Sequence, residues 1–280
     1  MNYGGLEEPY IDYYKASIVI LPVKYDACST WLKGADRGPE AILEASENME
    51  LYDIESSSRV FLEGIHTGEP ITENESPERL AELVDTRVNR MLTDGKFPVL
   101  IGGNHACSIG AFRAFAKHFN DLTILQLDAH ADLRQEYMGS SFNHACVMSR
   151  ASEIAPIVQV GIRSMSAGER GRLPQDRVFF AHDIRHSGDW ITQVISKLST
   201  NVYITIDLDV FDPSIMPSTG TPEPDGLLYH QVFSLIKAVN EHVNIVGFDI
   251  VELSPNENNK SPDFLAAKLI YQILSLKFKA

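Results

Sequence analysis

Short aliphatic and β-branched runs recur along the chain at residues 18–23, 98–102, 122–128, 157–161, 178–181, 202–207 and 243–251. Their apolar residues are consecutive rather than alternate, as in strands buried on both faces. The stretches between them have helical spacing. Pro39 stands near the start of a helix predicted over 40–51, where its missing N–H leaves nothing unsatisfied. Ser76-Pro77-Glu78 opens another over 76–91, with Leu80, Leu83, Val84 and Val88 on one face. Further helices are predicted over 108–119, 189–198, 229–239 and 263–278. Strands alternating with helices predict an α/β fold, three layers deep, with a central and mostly parallel sheet. No linker, low-complexity segment or solenoid-like period interrupts the series, so residues 1–280 read as one domain.

The polar residues gain meaning from where these strands end. Ligands of open α/β sheets bind beyond the carboxyl ends of the strands. His105 follows the run 98–102, Asp128-Ala129-His130-Ala131-Asp132 ends the next, Asp207-Leu208-Asp209 ends another, and Glu252 closes the last. In an extended strand, residues two apart point the same way. Asp128, His130 and Asp132 are therefore expected to converge on one side, and Asp207 with Asp209 likewise.

Four carboxylates in a partly dry pocket repel one another and stay protonated unless divalent cations offset them. Taken alone, Asp128-x-His130-x-Asp132 also fits a capping and turn network. The acids at 207 and 209 are harder to explain that way, since acids closing an apolar run are costly without partners. Asp212-Pro213-Ser214 reads as a structural turn. Gly102-Gly103 lets the backbone approach a ligand closely, and His105 gains weight only in this company. Four carboxylates and two imidazoles without a thiolate favour a hard or borderline ion: manganese first, then magnesium, zinc or nickel. Two such ions sharing a water lower its pKa toward neutrality, which points to hydrolysis.

Composition narrows the partners. Hydrophobic residues make up 44% and charged residues 22%, ordinary globular usage. The net charge of −14 disfavours nucleic acid and anionic membranes and would attract a small cation. The first apolar run is too short for a signal or membrane segment, so a cytoplasmic location is expected. Cys28, Cys107 and Cys146 form no C-x-x-C pair, and reduced thiols are expected. A His/Cys zinc site at Asn-His-Ala-Cys would need closer, paired cysteines.

Together these stretches resemble the signatures of the ureohydrolases, the family of arginase and agmatinase. The resemblance rests on Gly102-Gly103-Asn104-His105, the segment 128–132, and 205–213 followed by Pro217 and Thr219-Gly220-Thr221-Pro222. The stretch from Tyr25-Asp26 through Gly34 to Gly38-Pro39 is similar as well. It implies an α/β/α fold, two manganese ions and a trimer or hexamer of identical chains. It implies that His105, Asp128, Asp132 and Asp207 hold one ion and that His130, Asp128, Asp207 and Asp209 hold the other. A hydroxide bridging the ions would attack a guanidinium carbon. Asp132 would orient that hydroxide and carry its proton to the leaving amine, His144 would relay protons, and Glu252 would pair with the guanidinium.

The chain departs from the family at Asn104 and Ala106, where Asp and Ser are commoner, at Ala145 after His144, and at Ser218 and Asp225, where glycines are common. None of these is a ligand position. The loop from Leu133 to Asn143 is shorter than in arginases and resembles the agmatinase branch, as does Gly220-Thr221-Pro222-Glu223-Pro224. Agmatine hydrolysis to putrescine and urea is the expected reaction, a step of polyamine biosynthesis. N1-aminopropylagmatine is the nearest rival, followed by arginine and other guanidines. Glu136 is a candidate partner for a distal amine, and Arg134 for a carboxylate. Three readings of other kinds compete. A single-metal deacetylase would not need both His105 and the full 128–132 set. A two-metal phosphoesterase would need an Arg or Lys clamp. A non-catalytic metal-binding homologue gains a little from Asn104.

Overall fold

The computed structural model describes residues 1–279. Its strands are β1 (Ile18–Lys24), β2 (Ile65–Thr67), β3 (Ile71–Thr72), β4 (Phe97–Gly102), β5 (Leu122–Leu127), β6 (Ile157–Ile162), β7 (Val178–Phe180), β8 (Asn201–Asp207) and β9 (Asn244–Val251). They form one nine-stranded sheet in the order β2-β1-β4-β9-β8-β5-β6-β7, with β3 also alongside β1. Every pairing is parallel. The helices are α1 (Gly38–Ser46), α2 (Pro77–Thr93), α3 (Ser108–His118), α4 (Val147–Ser152), α5 (Ala181–Ile184), α6 (Trp190–Ile195), α7 (Tyr229–His242) and α8 (Ser261–Lys277).

Strand residues alternate between two cores, one on each face. Ile18 and Ile20 of β1, Val99 and Ile101 of β4, and Ile204 and Ile206 of β8 pack with α1, α7 and α8. Val19, Leu21, Leu100 and Tyr203 pack with α2 and α3. Burying such a side chain stabilises the fold by about 1.5–3 kcal/mol. Both faces are covered, which is why the central strands read as continuous apolar runs rather than alternating ones.

Several elements differ from expectation. The helix predicted over 40–51 ends at Ser46, whose hydroxyl donates to the Leu43 carbonyl at 2.6 Å and accepts the Gly4 N–H at 2.8 Å. That side chain competes with the helical ladder, and turns follow. The helix over 189–198 is regular only over Trp190–Ile195. β2 and β3 were not predicted, because two or three residues carry too little periodicity to register. Ala181 opens α5 instead of closing β7.

The topology gathers the site. After β4 the chain crosses to β5, and β8 and β9 later fill the gap, so β4, β9, β8 and β5 lie side by side. Ile101 stands opposite Ile250, Val251 opposite Asp207, and Ile206 opposite Leu127. The residues that follow these four strands therefore emerge at one edge, at a switch point in strand order. Among the described residues no helix is long and apolar enough to cross a membrane, and the three cysteines are free thiols.

Candidate active site

The six expected ligands meet beyond that edge in two clusters. His105 Nδ1 lies 3.2 Å from Asp128 Oδ2, 3.1 Å from Asp132 Oδ2 and 3.5 Å from Asp207 Oδ2. His130 Nδ1 lies 2.9 Å from Asp209 Oδ2 and 3.6 Å from Asp128 Oδ1. Asp128 belongs to both.

The route to this geometry is not the one expected. β5 stops at Leu127 and β8 at Asp207, so neither triplet is an extended strand. Asp132 adopts φ of 51° and turns toward His105, whereas His130 turns toward Asp209. Asp209 sits in a 3-10 turn, Leu208–Val210. Main-chain hydrogen bonds hold the carboxylates in place. Asp128 Oδ1 accepts from the His130 N–H at 2.6 Å, Asp209 Oδ1 from Ala129 at 3.0 Å, and Asp207 Oδ1 from Asp209 at 2.9 Å.

Gly103 sets the approach to His105. A Cβ there would stand 2.0 Å from the Tyr25 carbonyl oxygen, a backbone contact that no rotamer change relieves. Gly103→Ala is therefore expected to destabilise the protein by about 3 kcal/mol or more, read as a loss of melting temperature. The Gly103 carbonyl accepts the Glu252 N–H at 2.7 Å, and Glu252 Oε1 accepts the His105 N–H at 2.7 Å. Glu252, at φ of 69°, is thereby locked beside the cluster. Asn104 does not face the carboxylates. Its Oδ1 caps the turn at Ala106, and its amide donates toward Cys28 Sγ and Ser29 Oγ.

A second ring of polar residues lies within the strands themselves. His105 Nε2 meets Thr205 Oγ1 at 2.9 Å, and Asp249 accepts from both Thr205 (2.6 Å) and Tyr203 (2.7 Å). Gln126 donates to Asp128 Oδ2 at 2.6 Å and accepts from Gln159. Glu169, absent from the expected set, accepts from the Leu133 and Ser166 N–H groups at 2.9 and 2.7 Å. It joins the segment after Asp132 to the opposite wall.

Above the clusters is a cavity of about 270 Å³ whose walls include Thr30, Asp132, Tyr137, His144, Glu169 and Glu252. Arg134 also lines it and stacks on Tyr137 at 4.5 Å. Tyr137 in turn meets the His144 ring edge-on. Glu136, the candidate amine partner, is exposed and not among the lining residues.

The buried carboxylates burden one another. Burial, then the Asp209 and Asp128 carboxylates, push the Asp207 carboxyl well above its usual range. Burial and Asp128 push Asp132 up to about 6, and burial above all pushes Glu252 up to about 8. Burial also works against charge on Asp128, but His105 and His130 hold its carboxyl below the ordinary value. Burial would lower His105; the carboxylates of Asp128, Asp132 and Asp207 outweigh it and raise the ring. Burial and the two cationic histidines push His144 down to about 4, leaving it neutral near pH 7.

The donors fit divalent cations. His105 Nδ1 is buried and makes no hydrogen bond although three carboxylates face it. Donors bound to one octahedral ion at about 2.1 Å sit roughly 3 Å apart, close to the spacings within each cluster. The four carboxylates of Asp128, Asp132, Asp207 and Asp209 match the charge of two such ions. His105, Asp128, Asp132 and Asp207 could hold the inner one, and His130, Asp128 and Asp209 the outer; the Asp207 carboxylate, expected to serve both, faces His105.

Comparison with known proteins agrees with this geometry. The arginase family matches residues 16–275. The N(1)-aminopropylagmatine ureohydrolase of Thermus thermophilus is 40% identical over 98% of this chain and 94% of that protein. The protein of the same name from Synechocystis is 35% identical over 95% and 91%. The crystal structure of agmatine ureohydrolase from Thermoplasma volcanium superposes with a TM-score of 0.86 at 34% identity, covering 96% of this chain and 92% of that one. The chain belongs to the arginase family, whose members are binuclear metal-dependent hydrolases.

Proposed function

We propose that the protein hydrolyses the terminal guanidinium of agmatine, releasing urea and putrescine, with manganese as the metal. The observation that carries this reading is the pair of His-carboxylate clusters sharing Asp128 beneath a cavity that Glu252 also lines. When bound, two divalent ions acidify a shared water and so supply a nucleophile near neutral pH. The protein's groups do the rest. Glu252 accepts the planar cation in charge-assisted hydrogen bonds. Asp132 takes the proton of the attacking water and delivers it to the departing amine as the carbon–nitrogen bond breaks. His144, kept neutral by its surroundings, accepts a proton and passes it to solvent.

The names of the Thermus and Synechocystis relatives favour a second reading, in which the substrate is agmatine extended by an aminopropyl arm. The chemistry at the guanidinium is the same and the amine product is longer. Arginine fits less well under either reading. Its α-carboxylate would enter a cavity lined by Glu169 and Glu252, where Arg134 is the one lining Lys or Arg.

Urea release from agmatine, N1-aminopropylagmatine, arginine, guanidinobutyrate and guanidine, each with Mn2+, tests the assignment. The expected result is a kcat/KM for agmatine or its aminopropyl derivative roughly a hundredfold above that for arginine, the discrimination that an unpaired buried charge produces. Faster turnover of arginine would overturn it.

A further inference from the structure

Arg163 follows β6, and its side chain does not enter the carboxylate clusters. Its guanidinium instead bridges two loops that wall the site. Nη2 donates to the carbonyl oxygens of Asp209 at 2.6 Å, Glu223 at 2.9 Å and Phe211 at 3.3 Å. Nη1 donates to those of Gly161 at 3.2 Å and Val210 at 3.4 Å, and Nε to Pro224 at 3.1 Å. The Arg163 N–H adds a bond to the Ala129 carbonyl at 2.8 Å, between Asp128 and His130. One residue thus ties together the turn that carries Asp209, the loop that carries Asp128 and His130, and the segment that follows Thr221.

A guanidinium ordinarily pairs with carboxylate or phosphate. Here its donors are all directed to main-chain oxygens, on two loops and at Gly161 of β6, an arrangement that a planar group with five N–H donors can serve and a single ammonium cannot. Gly226 makes room for it on one side, because a Cβ there would lie 2.7 Å from Nη2.

We infer that Arg163 is the positioning residue of the outer metal site. It fixes the Asp209 main chain, so that Asp209 Oδ2 stays within 2.9 Å of His130 Nδ1. The inference rests on the two-metal reading proposed above.

Calorimetric titration of metal-stripped protein with Mn2+ tests it, comparing the natural chain with Arg163→Lys and Arg163→Met. Circular dichroism and melting curves establish that each variant folds. One of two Mn2+ sites is expected to weaken about 10- to 100-fold, the effect of losing a group that orients a ligand. The other should stay within about threefold, and lysine should not restore the lost affinity. A purely structural role would lower the melting temperature and leave both affinities unchanged or weakened alike, which overturns the inference. So does full rescue by lysine. If Arg163→Met does not fold, the lysine variant carries the comparison. A natural chain that binds fewer than two ions overturns the two-metal reading itself, and this inference with it.

Discussion

Asp128→Ala is expected to lose urea release by roughly a thousandfold or more, about 4 kcal/mol of transition-state stabilisation, while keeping its fold. Asp128 is the one carboxylate common to both candidate metal groups, its two oxygens facing His105 and His130 separately. Under the proposed two-metal reading, removing it would take a donor from both candidate groups, whereas removing Asp209 would take one from the outer group alone. Folding should survive because two effects oppose each other. The variant relieves the repulsion that raises Asp207 and Asp132, but it leaves the buried Gln126 amide without its 2.6 Å acceptor. Urea assay, Mn2+ titration and near-ultraviolet circular dichroism together check the outcome. An unchanged rate in a folded variant would refute the shared-carboxylate mechanism, and lost folding without metal would refute the offset.

Much of this site is legible in the sequence because parallel strands buried on both faces announce themselves. Ile204-Thr205-Ile206 runs straight into Asp207, and an acid at the end of a buried apolar strand is costly unless a partner meets it there. The same holds for the run that leads to Asp128. The direction of the ligands is less legible. Alternation within a strand correctly assembled the donors but for the wrong reason, since the chain leaves the strand before His130 and Asp209 and turns each side chain by local hydrogen bonds. Residues that act through the main chain were missed altogether. Arg163 and Glu169 mark no motif, because their partners are carbonyl and amide groups that every residue possesses. A weaker signal was present for the inner network. Gln126 pairs in register with Gln159, and Thr205 with Asp249. A lone polar residue at the matching place in two adjacent apolar strands marks a buried hydrogen bond, provided the strand order is known. Strand order was the part that local pattern did not carry.

Mn2+ is expected to raise the melting temperature more at about pH 8.5 than at about pH 5.5, by roughly 5 °C or more. The sign follows from the metal-free site. Asp132, pushed up to about 6, and Glu252, pushed up to about 8, both exceed the ordinary carboxyl values of the unfolded chain. Asp207 is raised as well. A group raised on folding stabilises fully below its unfolded pKa, and that stability is lost as pH rises through its folded value. The metal-free protein should therefore weaken from about pH 4 to about pH 8. The raised His105 and His130 act in the same direction above their unfolded pKa near 6.5. His144, lowered to about 4, acts the other way, but only up to about pH 6.5. Asp128, held low, matters only in acid. Cations that take the place of these protons must compete with them at low pH and meet ionised ligands at high pH. The stabilisation by metal thus grows over the same interval in which the metal-free fold declines. Equal shifts at the two pH values, or a larger one in acid, would mean that the buried carboxylates are not the groups that receive the metal.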